Sequence, residues 1–115
     1  MPTYKGSCHC GKVRFEIDAE LSHVRVCDCS MCRKRGALNV RVEETAIRVL
    51  TPLEELTSYK WHTRTATDYF CPVCGIQPFR RPRTAPHVWT VNVRCLEGID
   101  LASLPIERVY GSTLD

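Results

Sequence analysis

The sequence predicts an all-β domain laced by metal, and three observations carry that expectation. Alternation with a period of two recurs along most of the chain, helical periodicity is scarce, and the alternating stretches are rich in β-branched and aromatic residues. Seven of the eight cysteines fall in three tight groups: Cys8 and Cys10, then Cys27, Cys29 and Cys32, then Cys71 and Cys74. Cysteines that close in sequence bridge one another only in strained geometry, whereas metal ligands arrive in such pairs.

The opening "MPTYKGSCHCG" has no apolar run able to act as a signal peptide or to span a membrane, so a cytoplasmic location is expected. In a reducing compartment the cysteine spacing reads as metal binding rather than disulfides. With 115 residues and no repeat or linker, residues 1–115 form one domain with a modest core. The first clear strand signal is "KVRFEI", which sets Val13, Phe15 and Ile17 against Lys12, Arg14 and Glu16. "ALNVRV" repeats the pattern with Leu38, Val40 and Val42. "AIRVL", "TSYKWH", "TDYF" and "VWTVNVRC" are further strands, separated by turn-like punctuation at Gly11, Gly36, "TPLEE", "CPVCGIQP", "RPRTAP" and "LEG". Short helical turns are expected at Ser30 to Arg35 and around Leu53 to Leu56.

Residues i and i+2 of a strand share a face, so Cys8 and Cys10 can present two thiolates side by side while His9 points away. "FCPVCG" is a knuckle: Pro72 fixes φ between two cysteines three apart, and Gly75 is free to take the positive φ that follows. Together Cys8, Cys10, Cys71 and Cys74 make a closed four-sulfur site, structural zinc in kind, that joins the start of the chain to its middle.

"CDCSMC" leaves Cys27, Cys29 and Cys32, enough to wrap three thiolates around a second zinc and keep one position open, the general pattern of a catalytic ion. Cys95 in "VNVRC" is the alternative fourth ligand, or a buried thiol packed with Val91 and Val93 on one strand face. An open zinc held by three thiolates is a weak Lewis acid suited to a fourth, exchangeable thiolate. That thiolate could add to an aldehyde carbon. Arg33, Lys34 and Arg35 follow the third ligand, and Arg80, Arg81 and Arg83 follow the knuckle. Arginine forks match carboxylates, so Arg33, Arg35 and Arg80 are candidate substrate-binding residues. His62, Asp68, Tyr69 and His87 are the polar groups to examine for proton transfer.

The formal charge of +3 is no strong argument for a polyanion partner, because seven ionised thiols around two divalent ions cancel it. The rival to an enzyme is a non-enzymatic zinc module for protein or nucleic acid. It needs both arginine runs on one surface, and the strands offer no aromatic stacking platform for nucleic acid. An exposed strand edge would allow a homodimer, which nothing in the sequence demands.

The stretches "GSCHCGKVRFE", "CDCSMCRKRGAL", "YFCPVCGIQPFRRPR" and "VNVRCLEGIDL" resemble the glutathione-dependent formaldehyde-activating enzyme family, which also includes centromere protein V. The likeness runs from Gly6 to about Leu101. It implies a β-tent fold of short coiled antiparallel sheets with two zinc ions. Cys8, Cys10, Cys71 and Cys74 would hold the structural ion, and Cys27, Cys29 and Cys32 the catalytic one. The reaction it implies joins formaldehyde and glutathione into S-(hydroxymethyl)glutathione, a carbon–sulfur lyase written in reverse.

Overall fold

The computed structural model describes residues 1–22, 24–28, 30–60, 66–82 and 87–109. Cys29, His62 and Arg83, all singled out above, lie outside the described residues. Ten strands, one short α-helix and four 3₁₀ turns make up the described chain, so the all-β expectation holds.

Three strands form a small antiparallel sheet in the order β1 (Thr3–Ser7), β2 (Arg14–Asp18), β5 (Ile47–Val49). The "KVRFEI" alternation sets its faces: Phe15 and Ile17 are fully buried, while Glu16 and Asp18 point out. Register places Arg48 opposite Glu16, and its guanidinium meets Glu16 at 3.1 Å and Asp18 at 3.0 Å. Gly6 sits opposite Phe15, where a Cβ would lie 2.2 Å from the ring carbon Cζ. Only a residue without a side chain lets that ring close over the strand.

The second sheet has seven strands in the order β10 (Ile106–Val109), β3 (Val24–Cys27), β4 (Asn39–Glu43), β9 (Val88–Asn92), β8 (Phe79–Arg81), β7 (Thr67–Phe70), β6 (Thr57–Tyr59). Directly opposed residues share a face, and the register sorts this sheet into two. One face carries Val40, Val42, Trp89, Val91, Phe79 and Tyr69. Phe79 lies edge-on to Trp89 at 5.2 Å and to Phe15 of the small sheet at 5.5 Å, so the core forms where the sheets meet. The other face carries Arg25 opposite Asn39, Arg41 opposite Thr90, Thr90 opposite Arg80, and Arg80 opposite Asp68. Thr90 and Asp68 on it are nevertheless buried.

Several sequence expectations need correction. The sheets are not wholly antiparallel, because β10 runs parallel to β3. β1, β8 and β10 carry no clear alternation signal. Cys8 and Cys10 follow the end of β1 and enter a turn, so the pleat does not align them. Cys95 is not on a strand: β9 ends at Asn92, whose side chain accepts from the Arg94 N–H at 3.1 Å and starts the 3₁₀ turn Val93–Cys95. The helix α1 (Ser30–Arg35) does form where expected. It stops at Gly36, whose φ of 67° suits a left-handed C-cap and whose N–H reaches the Cys32 carbonyl at 2.9 Å.

Candidate functional site

The first cysteine group is assembled by two turns. Gly11, at φ 85°, closes the Cys8 loop with its N–H on the Cys8 carbonyl at 3.3 Å. Gly75, at φ 81°, closes the knuckle with its N–H on the Cys71 carbonyl at 2.9 Å. The Sγ atoms of Cys8, Cys10, Cys71 and Cys74 all lie within 4.8 Å of one another, and two of the separations are 3.6 Å. A tetrahedron with metal–sulfur bonds of ~2.3 Å has edges of about 3.8 Å, so four sulfurs this close have the number and kind of donors that a tetrahedral ion takes. Backbone N–H groups already face the sulfurs: Val13 donates to Cys8 at 3.3 Å, and Val73 and Cys74 donate to Cys71 at 3.4 Å. His9 is exposed. This cluster could hold one metal ion.

Without a countercharge the four thiols compete. The N–H of Ile76, then that of Cys10, draws Cys74 down to about 6. Cys10 goes the other way, to about 11: the Lys12 N–H lowers it, but burial and the neighbouring sulfurs outweigh that. Burial acts most strongly on Cys71 and raises it, yet the N–H groups of Cys74 and Val73 hold it below the usual thiol range. A divalent cation lets all four ionise together. Cys95 stands beside this cluster: burial first, then the charges of Cys8 and Cys74, push its thiol up to about 11.

The second group opens differently. Cys27 ends β3 on the arginine-bearing face of the large sheet, and α1 turns Cys32 toward the same face. Both line a cleft of about 70 Å³ with Arg25, Asn39, Arg41, Arg80 and Thr90. Arg80 Nη1 donates to Cys32 Sγ at 3.6 Å, while its Nε lies 2.7 Å from Asp68 Oδ1. Asp68 is fully buried, and the N–H does not point along that line, so the contact is an ion pair rather than an aligned hydrogen bond. Arg41 is held below the usual arginine range by desolvation first and then by the charges of Arg25 and Arg80, while Cys27 acts the other way. The three guanidinium groups therefore share one neighbourhood. Two of the three predicted second-site cysteines meet in it, and thiolate donors of this kind suit a soft or borderline divalent ion.

A wider groove of about 410 Å³ is lined by Arg35, Phe70, Gly75, Ile76, Gln77 and Asn92. It borders the cleft where Asn92 pairs with Asn39 in register. Arg35 Nη1 is buried there without a hydrogen-bond partner.

A model of the family described as glutathione-dependent formaldehyde-activating enzyme matches residues 3–111. The chain belongs to this family. It is also similar to the crystal structure of a Rhodobacter sphaeroides protein, with 39% identity and a TM-score of 0.80 over 90% of this chain and 99% of that one.

Within this formaldehyde-activating family member, the predicted arginines separate. Arg80 lines the cleft, Arg35 lines the groove, and Arg33 is exposed on α1. Arg25 and Arg41 were missed. Their signal was present, since each alternates with valines in "VRVC" and "NVRVE", but an arginine on the polar side of a strand reads as solvated surface until register shows its neighbours. Among the proton-transfer candidates, Asp68 is paired to Arg80, Tyr69 packs on Phe79 and Trp89 across the sheet, and His87 is exposed. Among the described residues no helix is long and apolar enough to cross a membrane.

Proposed function

We propose that the protein is a cytoplasmic zinc enzyme of thiol–aldehyde chemistry, a carbon–sulfur lyase that adds glutathione to formaldehyde. The observation that carries this is the cleft in which Cys27 and Cys32 stand among arginines, in a family named for that reaction. Cys8, Cys10, Cys71 and Cys74 would hold a structural zinc ion, and Cys27, Cys29 and Cys32 a second. When bound, the second ion supplies an exchangeable position that favours the ionised form of a substrate thiol. Arg80 steadies the Cys32 sulfur by hydrogen bond, and Asp68 holds Arg80 in place. Arg35 lines a groove whose volume falls in the range of small-molecule sites, room for the peptide tail of the thiol. The sulfur forms a bond to the aldehyde carbon, the carbonyl pair moves onto oxygen, and that oxygen takes a proton from water.

Two arginines of the second basic run are engaged within the protein, which supports the enzyme over an interaction module. Arg80 is inside the cleft, and Arg81 stacks 3.9 Å over Trp89 and pairs with Glu44. A homodimer through the exposed edge strand β6 remains compatible with the proposal.

The test is the visible spectrum of the cobalt-substituted protein before and after glutathione is added. Bands that shift show a site open to a thiol, and Cys29→Ser should abolish the shift and any turnover above the uncatalysed blank. Two closed four-sulfur spectra that ignore glutathione would sink the proposal.

A further inference from the structure

The cleft holds more positive charge than its proposed reaction uses. Formaldehyde is neutral and needs no cation to recognise it. The carboxylates of glutathione sit at the two ends of a tripeptide, away from its sulfur, and a space of about 70 Å³ beside Cys27 and Cys32 does not admit that tail. The neighbouring groove of about 410 Å³, lined by Arg35, has room for that tail. Of the three cleft arginines, Arg80 is committed to Asp68 and Cys32. Among the described residues, no ion pair links a carboxylate to Arg41, while Glu107 on β10 lies opposite Arg25 in register. Register brings them together: Arg25 opposes Asn39, and Arg41 follows Asn39 by two positions on the same face of β4. Asn39 and Thr90 add neutral polar groups to the same wall. Guanidinium groups gathered in one cleft repel one another; Glu107 beside Arg25 and the charge of Cys27 offset part of that cost, and a small anion between Arg25 and Arg41 offsets more. Arginine pairs suit a carboxylate, which accepts two parallel N–H bonds from each fork.

We propose that the cleft selects a compact aldehyde that carries its own carboxylate, a 2-oxo acid of the size of glyoxylate, held by Arg25 and Arg41 beside the thiol-bearing site. This rests on the thiol–aldehyde reading above and names its carbonyl substrate. The carboxylate would fix the aldehyde carbon toward the sulfur. The carbon–sulfur bond forms, the carbonyl oxygen gains the electron pair and a proton from water, and the product is a 2-hydroxy-2-thioether carboxylate with no change in total oxidation state.

The experiment measures protein-dependent addition of glutathione to glyoxylate and to formaldehyde, each against its blank, in the wild type, Arg41→Gln and Arg25→Gln. Arg41 is exposed enough for its substitution to leave folding intact. Loss of a charged hydrogen-bonding pair is worth ~1.5–3 kcal/mol, or about tenfold to a hundredfold. We expect that drop in kcat/KM for glyoxylate in both variants, with formaldehyde changed less than threefold. Equal effects on both aldehydes, or none, overturn the inference and leave the thiol–aldehyde reading standing. If no aldehyde reacts above its blank, it is that reading which falls. Calorimetry with oxamate, an unreactive 2-oxo acid analogue, then decides the pocket by itself. Oxamate bound by the wild type and at least tenfold more weakly by Arg41→Gln supports it, and no difference overturns it.

Discussion

The two cysteine groups use one chemistry in opposite surroundings. The first joins two distant turns, and its sulfurs meet backbone N–H groups and one another. The second lies at the end of β3 and on α1, and its sulfurs face a cleft of arginines. A metal at the first site would tie turns some sixty positions apart in sequence, so its binding would be folding energy. At the second, Cys27, Cys29 and Cys32 lie within six positions, so the same ion would constrain little chain. The difference teaches that ligand spacing along the chain separates a site built for stability from one that can afford to stay open.

The largest effect should come from breaking the first group. A structural zinc site contributes on the order of 10 kcal/mol, comparable to the whole stability of a small domain. Cys71→Ser should therefore abolish the cooperative thermal transition followed by circular dichroism. Cys32→Ser should keep the transition and lose one equivalent of metal. If both variants melt like the wild type, the contrast between the two groups is wrong.

A smaller effect should follow at the wall of the second site. Asp68→Asn leaves Arg80 inside the protein without its countercharge, which costs about 3–5 kcal/mol. The same variant frees Arg80 from its hold beside Cys32, so thiol turnover should fall even at temperatures where the protein remains folded. Urea denaturation and steady-state kinetics on one preparation separate the two losses; intact kinetics would remove Asp68 from the site.

The smallest effect lies outside both groups and serves as a control. Arg48 first, then Thr3, holds the Asp18 carboxyl down at about 2 from an ordinary 3.8. Its folded pKa is depressed, so its stabilising contribution is full above 3.8 and is lost as pH falls through about 2. Arg48→Gln should raise the carboxyl toward its ordinary range in a carbon NMR titration, with the Thr3 hydroxyl still holding it down in part and metal content at neutral pH unchanged. A metal loss in that variant would mean that the small sheet and the first cluster are not independent.

Much of this was legible because it is local. Period-two alternation gave β2, β4, β7 and β9, since a strand with one apolar face writes that face into its own residues. The Ser30 to Arg35 helix and its stop at Gly36 follow from a short turn and one left-handed residue. The four-cysteine cluster was legible from spacing, although a turn and not a pleat brings Cys8 to Cys10. β10 was not, because a parallel partner to β3 depends on a pairing far along the chain.

What the amino-acid order determined by itself is the inventory: alternating strands, a knuckle, and cysteines in groups fit for metal. What only the tertiary structure decided is adjacency. Arg25, Arg41, Arg80 and Asp68 come from four strands separated in sequence, and each alone reads as a solvated polar residue. Strand order and register placed them on one face beside Cys27 and Cys32. Register between distant strands is set by how whole hydrophobic faces pack, a property that no single stretch of sequence contains.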